Sequence, residues 1–194
     1  MNILVIGCHP LPDSFNHSVL ARIDRSLSRM GHAVRLHDLY KESFNPVLSG
    51  EELNRGMSFD EAALAYTSEL EACEGLVLVH PDWWGLPPAL LKGWVDRIFR
   101  PGIAYELQGE EFLAKRAVPL LNKKKALVFV TSDAAVEEDV QMVKRFWEKS
   151  VFGYCGFAES KVHVLCNMHR LDQGERTSWL GFVDATLRSW FPPS

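Results

Sequence analysis

The chain has 194 residues, a formal net charge of −4, 47% hydrophobic and 24% charged residues, which excludes a disordered chain, a collagen-like repeat and a small disulfide scaffold. Its acidic balance argues against gripping nucleic acid by bulk charge. The length suits one domain over residues 1–194. No stretch approaches the ~20 apolar residues of a membrane span. The four cysteines, Cys8, Cys73, Cys155 and Cys166, form no C-x-x-C pair and no zinc-ligand spacing. A reducing, cytoplasmic setting is expected, with no bound metal and no membrane insertion.

Residues 3–8 form a continuous apolar run closed by Gly7, Pro10 and Pro12, as a buried parallel strand does. From Asn16 onward, Val19, Leu20, Ile23, Leu27 and Met30 recur at helical spacing until Gly31. Residues 33–38 read as a second strand and residues 39–57, with Asn45-Pro46, Ser49-Gly50 and Gly56, as a long loop. Ser58, with Glu61 three residues on, has capping-box spacing and opens a helix carried by Ala62, Leu64, Ala65 and Leu70. Residues 75–80 are a third strand. Pro87 and Pro88 open a helix with Leu90, Leu91, Trp94, Val95, Ile98 and Phe99 on its buried side. A second loop covers residues 101–124, and Lys123, Lys124 and Lys125 read as a solvated edge. Residues 126–131 and 161–166 are strands separated by a helix over 136–151. A helix over 172–190 closes the chain.

Five strands alternating with helices predict an α/β fold: a three-layer sandwich around a five-stranded parallel sheet. The short doubly wound order is 2-1-3-4-5, and its ligand crevice lies beyond the carboxyl ends of strands 1 and 3. Three segments therefore attract chemistry. The first, His9 through Asn16, feeds a helix N-terminus, a natural phosphate seat, with His9, Ser14 and Asn16 as side-chain donors. Asp13 or Ser14 equally serves as a plain helix cap. The second, His80-Pro81-Asp82-Trp83-Trp84-Gly85-Leu86-Pro87-Pro88, places two tryptophans in a turn, where at least one can wall a planar heteroaromatic ligand. The third, Thr131-Ser132-Asp133-Ala134, either hydrogen-bonds the polar edge of a ring or caps the next helix through Ser132 or Asp133. No Walker loop, G-x-G-x-x-G, H-E-x-x-H or G-x-S-x-G motif is present. A receiver-type interaction domain shares the strand order but needs clustered aspartates where this chain has Gly7-Cys8-His9 and His80.

Together the segments resemble the flavodoxin-like NAD(P)H:quinone reductases. The resemblance is carried by His9 through Asn16, including Ser14-Phe15-Asn16, and by Asp38-Leu39-Tyr40 with Phe44-Asn45-Pro46. It continues in Pro81-Asp82-Trp83-Trp84-Gly85, Leu91-Lys92-Gly93-Trp94 and Ile103-Ala104-Tyr105. It implies a flavodoxin-like sandwich that binds FAD, with FMN as the alternative, and passes a hydride from NAD(P)H to a quinone or similar aromatic acceptor by a ping-pong route. The implied cofactor contacts are His9, Ser14, Phe15, Asn16, Pro81, Asp82, Trp83, Trp84, Gly85, Thr131, Ser132, Asp133 and, toward the distal half of a dinucleotide, Arg176. It also implies a homodimer. Alternatives within the resemblance are a nitro- or azo-compound reductase and a flavin-binding regulatory subunit of a membrane transporter. The chain departs from the family where Thr-Thr-Gly-Gly becomes Thr131-Ser132-Asp133-Ala134, and no Tyr or His follows in residues 135–140.

Overall fold

A computed structural model describes residues 1–108 and 116–193. Its centre is a five-stranded parallel sheet of β1 (Asn2–Gly7), β2 (Ala33–Asp38), β3 (Gly75–Pro81), β6 (Lys125–Thr131) and β7 (Glu159–Leu165), in the order β2-β1-β3-β6-β7. Strand periodicity divides the core between the two faces. Ile3, Val5, Val77, Val79, Leu127 and Phe129 face α1 (Phe15–Arg29) and α6 (Gln173–Trp190). Leu4, Ile6, Leu76, Leu78, Ala126, Val128 and Val130 belong to the second core cluster, shared with α3 (Glu61–Ala72) and α4 (Ala89–Ile98). Burial on both faces is why these strands read as unbroken apolar runs. No helix among the described residues is long and apolar enough to cross a membrane.

Several boundaries differ from the sequence reading, each for a local reason. The long loop after β2 contains a short helix, α2 (Gly50–Arg55), held by a Ser49–Glu52 capping box. The cap of α3 is Asp60, which accepts from the N–H groups of Ala62 and Ala63, and not Ser58. Ser58 instead accepts from Asp60 N and donates to Glu52. The second loop carries an antiparallel hairpin, β4 (Tyr105–Gln108) with β5 (Arg116–Pro119), so the chain has seven described strands and not five. The hairpin's connection lies outside the described residues. The helix expected over 136–151 is three pieces: a 3-10 turn at Glu137–Val140, α5 (Gln141–Arg145) and a π-helical stretch at Phe146–Gly153. Of the lysine run, Lys124 donates to the carbonyls of Glu71 and Cys73 at the end of α3, and Lys125 pairs with Glu159.

The excursion between β2 and α3 is fastened by a buried charge. Arg97 of α4 is 4% exposed. It donates to Glu52 at 2.6 Å, to Asp60 at 3.0 Å and to the Asn45 carbonyl at 2.7 Å. Burial alone would raise the Glu52 carboxyl, but the Arg97 hydrogen bond, with Ser49 and Ser58, holds it down at about 2. Gly93, one turn earlier, packs on Pro46 so closely that a Cβ there would run into the Pro46 carbonyl. Together these contacts press residues 45–60 against α4. Arg97→Ala is expected to lower unfolding free energy by about 3–5 kcal/mol, since two carboxylates lose their buried cation. Urea melts at neutral pH check this; a loss under ~1 kcal/mol would show that the clamp is solvated.

Candidate functional site

β1 and β3 lie side by side while their connections leave in opposite directions, which opens a crevice at their carboxyl ends. Three loops meet there, and Thr131 at the end of β6 joins them. Its carbonyl accepts from Asp82 N at 2.7 Å, and its Oγ1 accepts from Asn16 Nδ2 at 2.9 Å. Its neighbour Ser132 donates from Oγ to Asp82 Oδ2 at 3.0 Å. The β1–α1, β3–α4 and β6–α5 connections are thus tied through two adjacent residues.

The first loop ends in the N-cap Ser14, whose extended backbone (φ −67°, ψ 157°) starts α1. The Ser14 carbonyl accepts from the N–H groups of His17 and Ser18, which leaves those of Phe15 and Asn16 as the first donors of the helix end. Asn16 is buried, and its amide reaches across to Thr131. His9 lies at the rim: its Nδ1 is 3.1 Å from Leu11 N and its ring centroid is 6.4 Å from that of Trp83. Burial lowers the His9 pKa from its ordinary value, with the neighbouring His17 acting in the same direction.

The second loop is a tight turn. Trp83 and Leu86 exchange backbone hydrogen bonds at 2.9 and 3.2 Å, and the central residues Trp84 (φ 61°) and Gly85 (φ 77°) both have positive φ. Such a backbone is strained for a bulky residue. It presents Trp84 outward at 98% exposure, while Trp83 is 40% exposed. Pro81 ends β3 and is buried. Gly85 abuts the Met142 side chain, whose thioether would have to shift to admit a Cβ, and its positive φ itself favours glycine.

Two acceptors in this crevice are buried and have no partner: Asn16 Oδ1 and Asp82 Oδ1. Each such group costs about 1–3 kcal/mol, which a ligand bearing hydroxyl or ring N–H donors would relieve. With the helix-end N–H groups for an anion and the tryptophan faces for a ring, the donor and acceptor set fits a flavin nucleotide. The remaining expected contacts lie at the margins. Asp133 is exposed and accepts from His169 N and is 2.9 Å from its Nδ1. Arg176 sits over the Phe15 ring at 5.7 Å and donates to the carbonyls of Leu171 and Met168.

Two pairs escaped the sequence reading. His17 Nδ1 lies 2.9 Å from Ser14 Oγ, and its Nε2 lies 2.8 Å from Asp38 Oδ2. The i, i+3 spacing of Ser14 and His17 was the available signal. Beneath the crevice, His80 is fully buried with Nδ1 2.8 Å from the Pro81 carbonyl, and its Nε2 accepts from Trp147 Nε1–H at 2.8 Å. That bond fixes the ring as neutral with the proton on Nδ1. Burial pushes its pKa down to about 4, against a smaller upward pull from the Pro81 carbonyl.

Comparison with known proteins places this geometry among relatives. The profile of a family described by its flavodoxin-like fold matches residues 1–178. A Haemophilus influenzae protein named an uncharacterized NAD(P)H oxidoreductase is 32% identical over 193 residues, covering 93% of this chain and 91% of that one. The crystal structure of Smu.1420 from Streptococcus mutans superposes with a TM-score of 0.86 at 27% identity, over 97% of this chain and 100% of that one. The NAD(P)H:quinone oxidoreductase from Methanothermobacter marburgensis gives 0.79 at 25% identity, over 97% and 95% of the two chains.

The His80 pair predicts a pH dependence. With its folded pKa depressed, the unfolded chain binds the proton first. The contribution of His80 is complete above the ordinary imidazole value of about 6.5 and erodes as pH falls toward the folded value. Between pH 7.5 and 4.5 this amounts to about 2–3 kcal/mol. Denaturation curves of the wild type and His80→Phe should therefore converge as pH falls. An equal gap at both pH values would show that His80 is not held neutral.

Proposed function

The chain belongs to the flavodoxin-like fold family and is an enzyme of the NAD(P)H oxidoreductase class, and we propose that it works as a quinone reductase through a bound flavin. The observation that carries this reading is the pair of buried, unpartnered acceptors, Asn16 Oδ1 and Asp82 Oδ1, flanking Thr131 in the crevice. When bound, a flavin supplies the hydride-accepting and hydride-donating ring that no side chain of the site can supply.

The chain's own residues do the rest. The Phe15 and Asn16 N–H groups, with the Ser14 hydroxyl, hold the phosphoryl end at the start of α1. His9 borders that seat. Residues Pro81 to Gly85 and Thr131 to Asp133 form the polar edge for the ring; the N–H groups of Asp82, Trp83 and Ser132 are engaged by backbone carbonyls, so those of Trp84, Gly85 and Asp133 meet negative charge that develops there. Trp84 offers an indole face with which reduced nicotinamide and then a quinone or similar aromatic acceptor can stack in turn, a ping-pong order. The distal half of a dinucleotide such as FAD would run past Phe15 and Arg176; FMN requires neither. No side chain is assigned as acid or base: the site supplies fixed donors, and the proton that completes a hydroquinone after hydride transfer comes from solvent.

We read residues 1–194 as one flavin-binding domain that pairs with a second copy. Val47, Leu53, Phe59 and Leu64 support the pairing, since all four are exposed apolar side chains on the excursion and the start of α3.

The test is spectroscopic. Protein reconstituted with flavin should be yellow, should bleach on anaerobic addition of NAD(P)H and should recover its colour with a quinone. Trp84→Ala should raise KM for an aromatic acceptor several-fold, as one stacking face is worth about 0.5–1.5 kcal/mol, and should leave the melting temperature unchanged because the side chain packs on nothing. Protein that retains no flavin, or whose flavin NAD(P)H leaves oxidised, refutes the proposal.

A further inference from the structure

Ser14, His17 and Asp38 form a continuous hydrogen-bonded line from the helix end to β2. Ser14 Oγ is 2.9 Å from His17 Nδ1, and His17 Nε2 is 2.8 Å from Asp38 Oδ2. Asp38 is itself fixed, because its other oxygen accepts from the N–H groups of Tyr40 and Lys41 at 3.1 and 3.2 Å. A carboxylate only accepts, so Nε2 must carry a proton. The Ser14 bond then has two states. With a neutral imidazole, Nδ1 is an acceptor and takes the Ser14 O–H. With an imidazolium, Nδ1–H donates to Ser14 Oγ and frees the O–H to point elsewhere.

We infer that His17 and Asp38 are positioning residues that aim the Ser14 hydroxyl at the phosphoryl group of the ligand, and that seating this group draws one proton from solvent onto His17 Nδ1. This rests on the flavin reading of the crevice and extends it to two residues outside the ligand contacts. The ring of His17 faces Asp38 on β2, Ser14 on its own helix and His9 on the preceding loop, whose centroid is 6.3 Å away. Asp24 of α1, with Tyr40 and Lys41 after β2, lines the same groove of about 800 Å³. Of the two imidazoles, only His17 has a carboxylate partner to stabilise its charge, and only His17 touches the cap.

The arrangement separates the two partners experimentally. In His17→Phe, Ser14 loses its donor and the ligand loses its proton coupling. In Asp38→Asn, the amide oxygen keeps the Tyr40 and Lys41 N–H groups while Nδ2 faces His17. A donor at that place makes Nε2 the acceptor and shifts the neutral ring to the tautomer with its proton on Nδ1, so the Ser14 hydroxyl is freed without proton uptake.

The experiment measures binding of FMN and of riboflavin, which lacks the phosphoryl group, from pH 5.5 to 8.5. Flavin fluorescence gives affinity, and calorimetry in buffers of different ionisation enthalpy gives protons taken up. The wild type should take up a proton with FMN and none with riboflavin, and subtracting the His17→Phe profile removes the titration of FMN itself. His17→Phe should bind FMN about tenfold more weakly at low pH, with riboflavin affinity unchanged. Asp38→Asn should keep wild-type FMN affinity and lose the proton uptake. Proton uptake by His17→Phe equal to that of the wild type overturns the inference and leaves the flavin reading standing. So does a wild type that binds FMN without proton uptake. A wild type that binds neither flavin overturns both.

Discussion

The site depends on where β6 ends. Thr131 pairs with Pro81 across the sheet, and from that register its carbonyl meets Asp82 N while its hydroxyl meets Asn16. A slip of one residue would turn the Thr131 side chain to the other face and separate the three loops. The apolar alternation of Leu127 and Phe129 against Ala126, Val128 and Val130 prevents the slip, because both sheet faces are filled. The sheet's packing energy thus sets the geometry of a polar crevice that stabilises nothing by itself.

Around that hub the protein carries local costs. Trp84 in a positive-φ turn and two unpartnered buried acceptors each amount to about 1–3 kcal/mol. They persist because neighbouring structure is over-determined. Below the turn, His80 bridges the Pro81 carbonyl and the Trp147 indole, and the π-helical stretch Phe146–Gly153 carries that indole. To one side, Arg97 binds the excursion to α4. Rigid support beside an unsatisfied crevice is the expected form of a preorganised ligand site.

Much of this was legible in the chain. Continuous apolar runs at residues 3–8, 75–80 and 126–131 announce buried parallel strands, and helical periodicity between them leaves few topologies. The first two candidate loops follow from the switch-point rule, and the third from the same sheet edge. What stayed hidden involves partners distant in sequence or near-equivalent locally. Ser58 and Asp60 both offer cap oxygens two residues apart, and Arg97 decides between them by engaging Glu52 and Asp60. The π-helical register has no periodic signature apart from an ordinary helix. His17 meets Asp38 across 21 positions, and His80 meets Trp147 across 67. Asn16 is a more subtle case: the sequence offers it as a phosphate donor, but its amide nitrogen is engaged by Thr131, and its oxygen is buried without a partner.

The claim that Thr131 organises the flavin crevice is tested most directly by Thr131→Val, which keeps the volume and the backbone bond to Asp82 but removes Oγ1. Equilibrium dialysis with flavin, beside a thermal melt, should show binding weakened about tenfold in a protein that still folds cooperatively, because Asn16 loses its anchor. Flavin affinity equal to that of the wild type would contradict the account and move the ligand away from the junction of β1, β3 and β6.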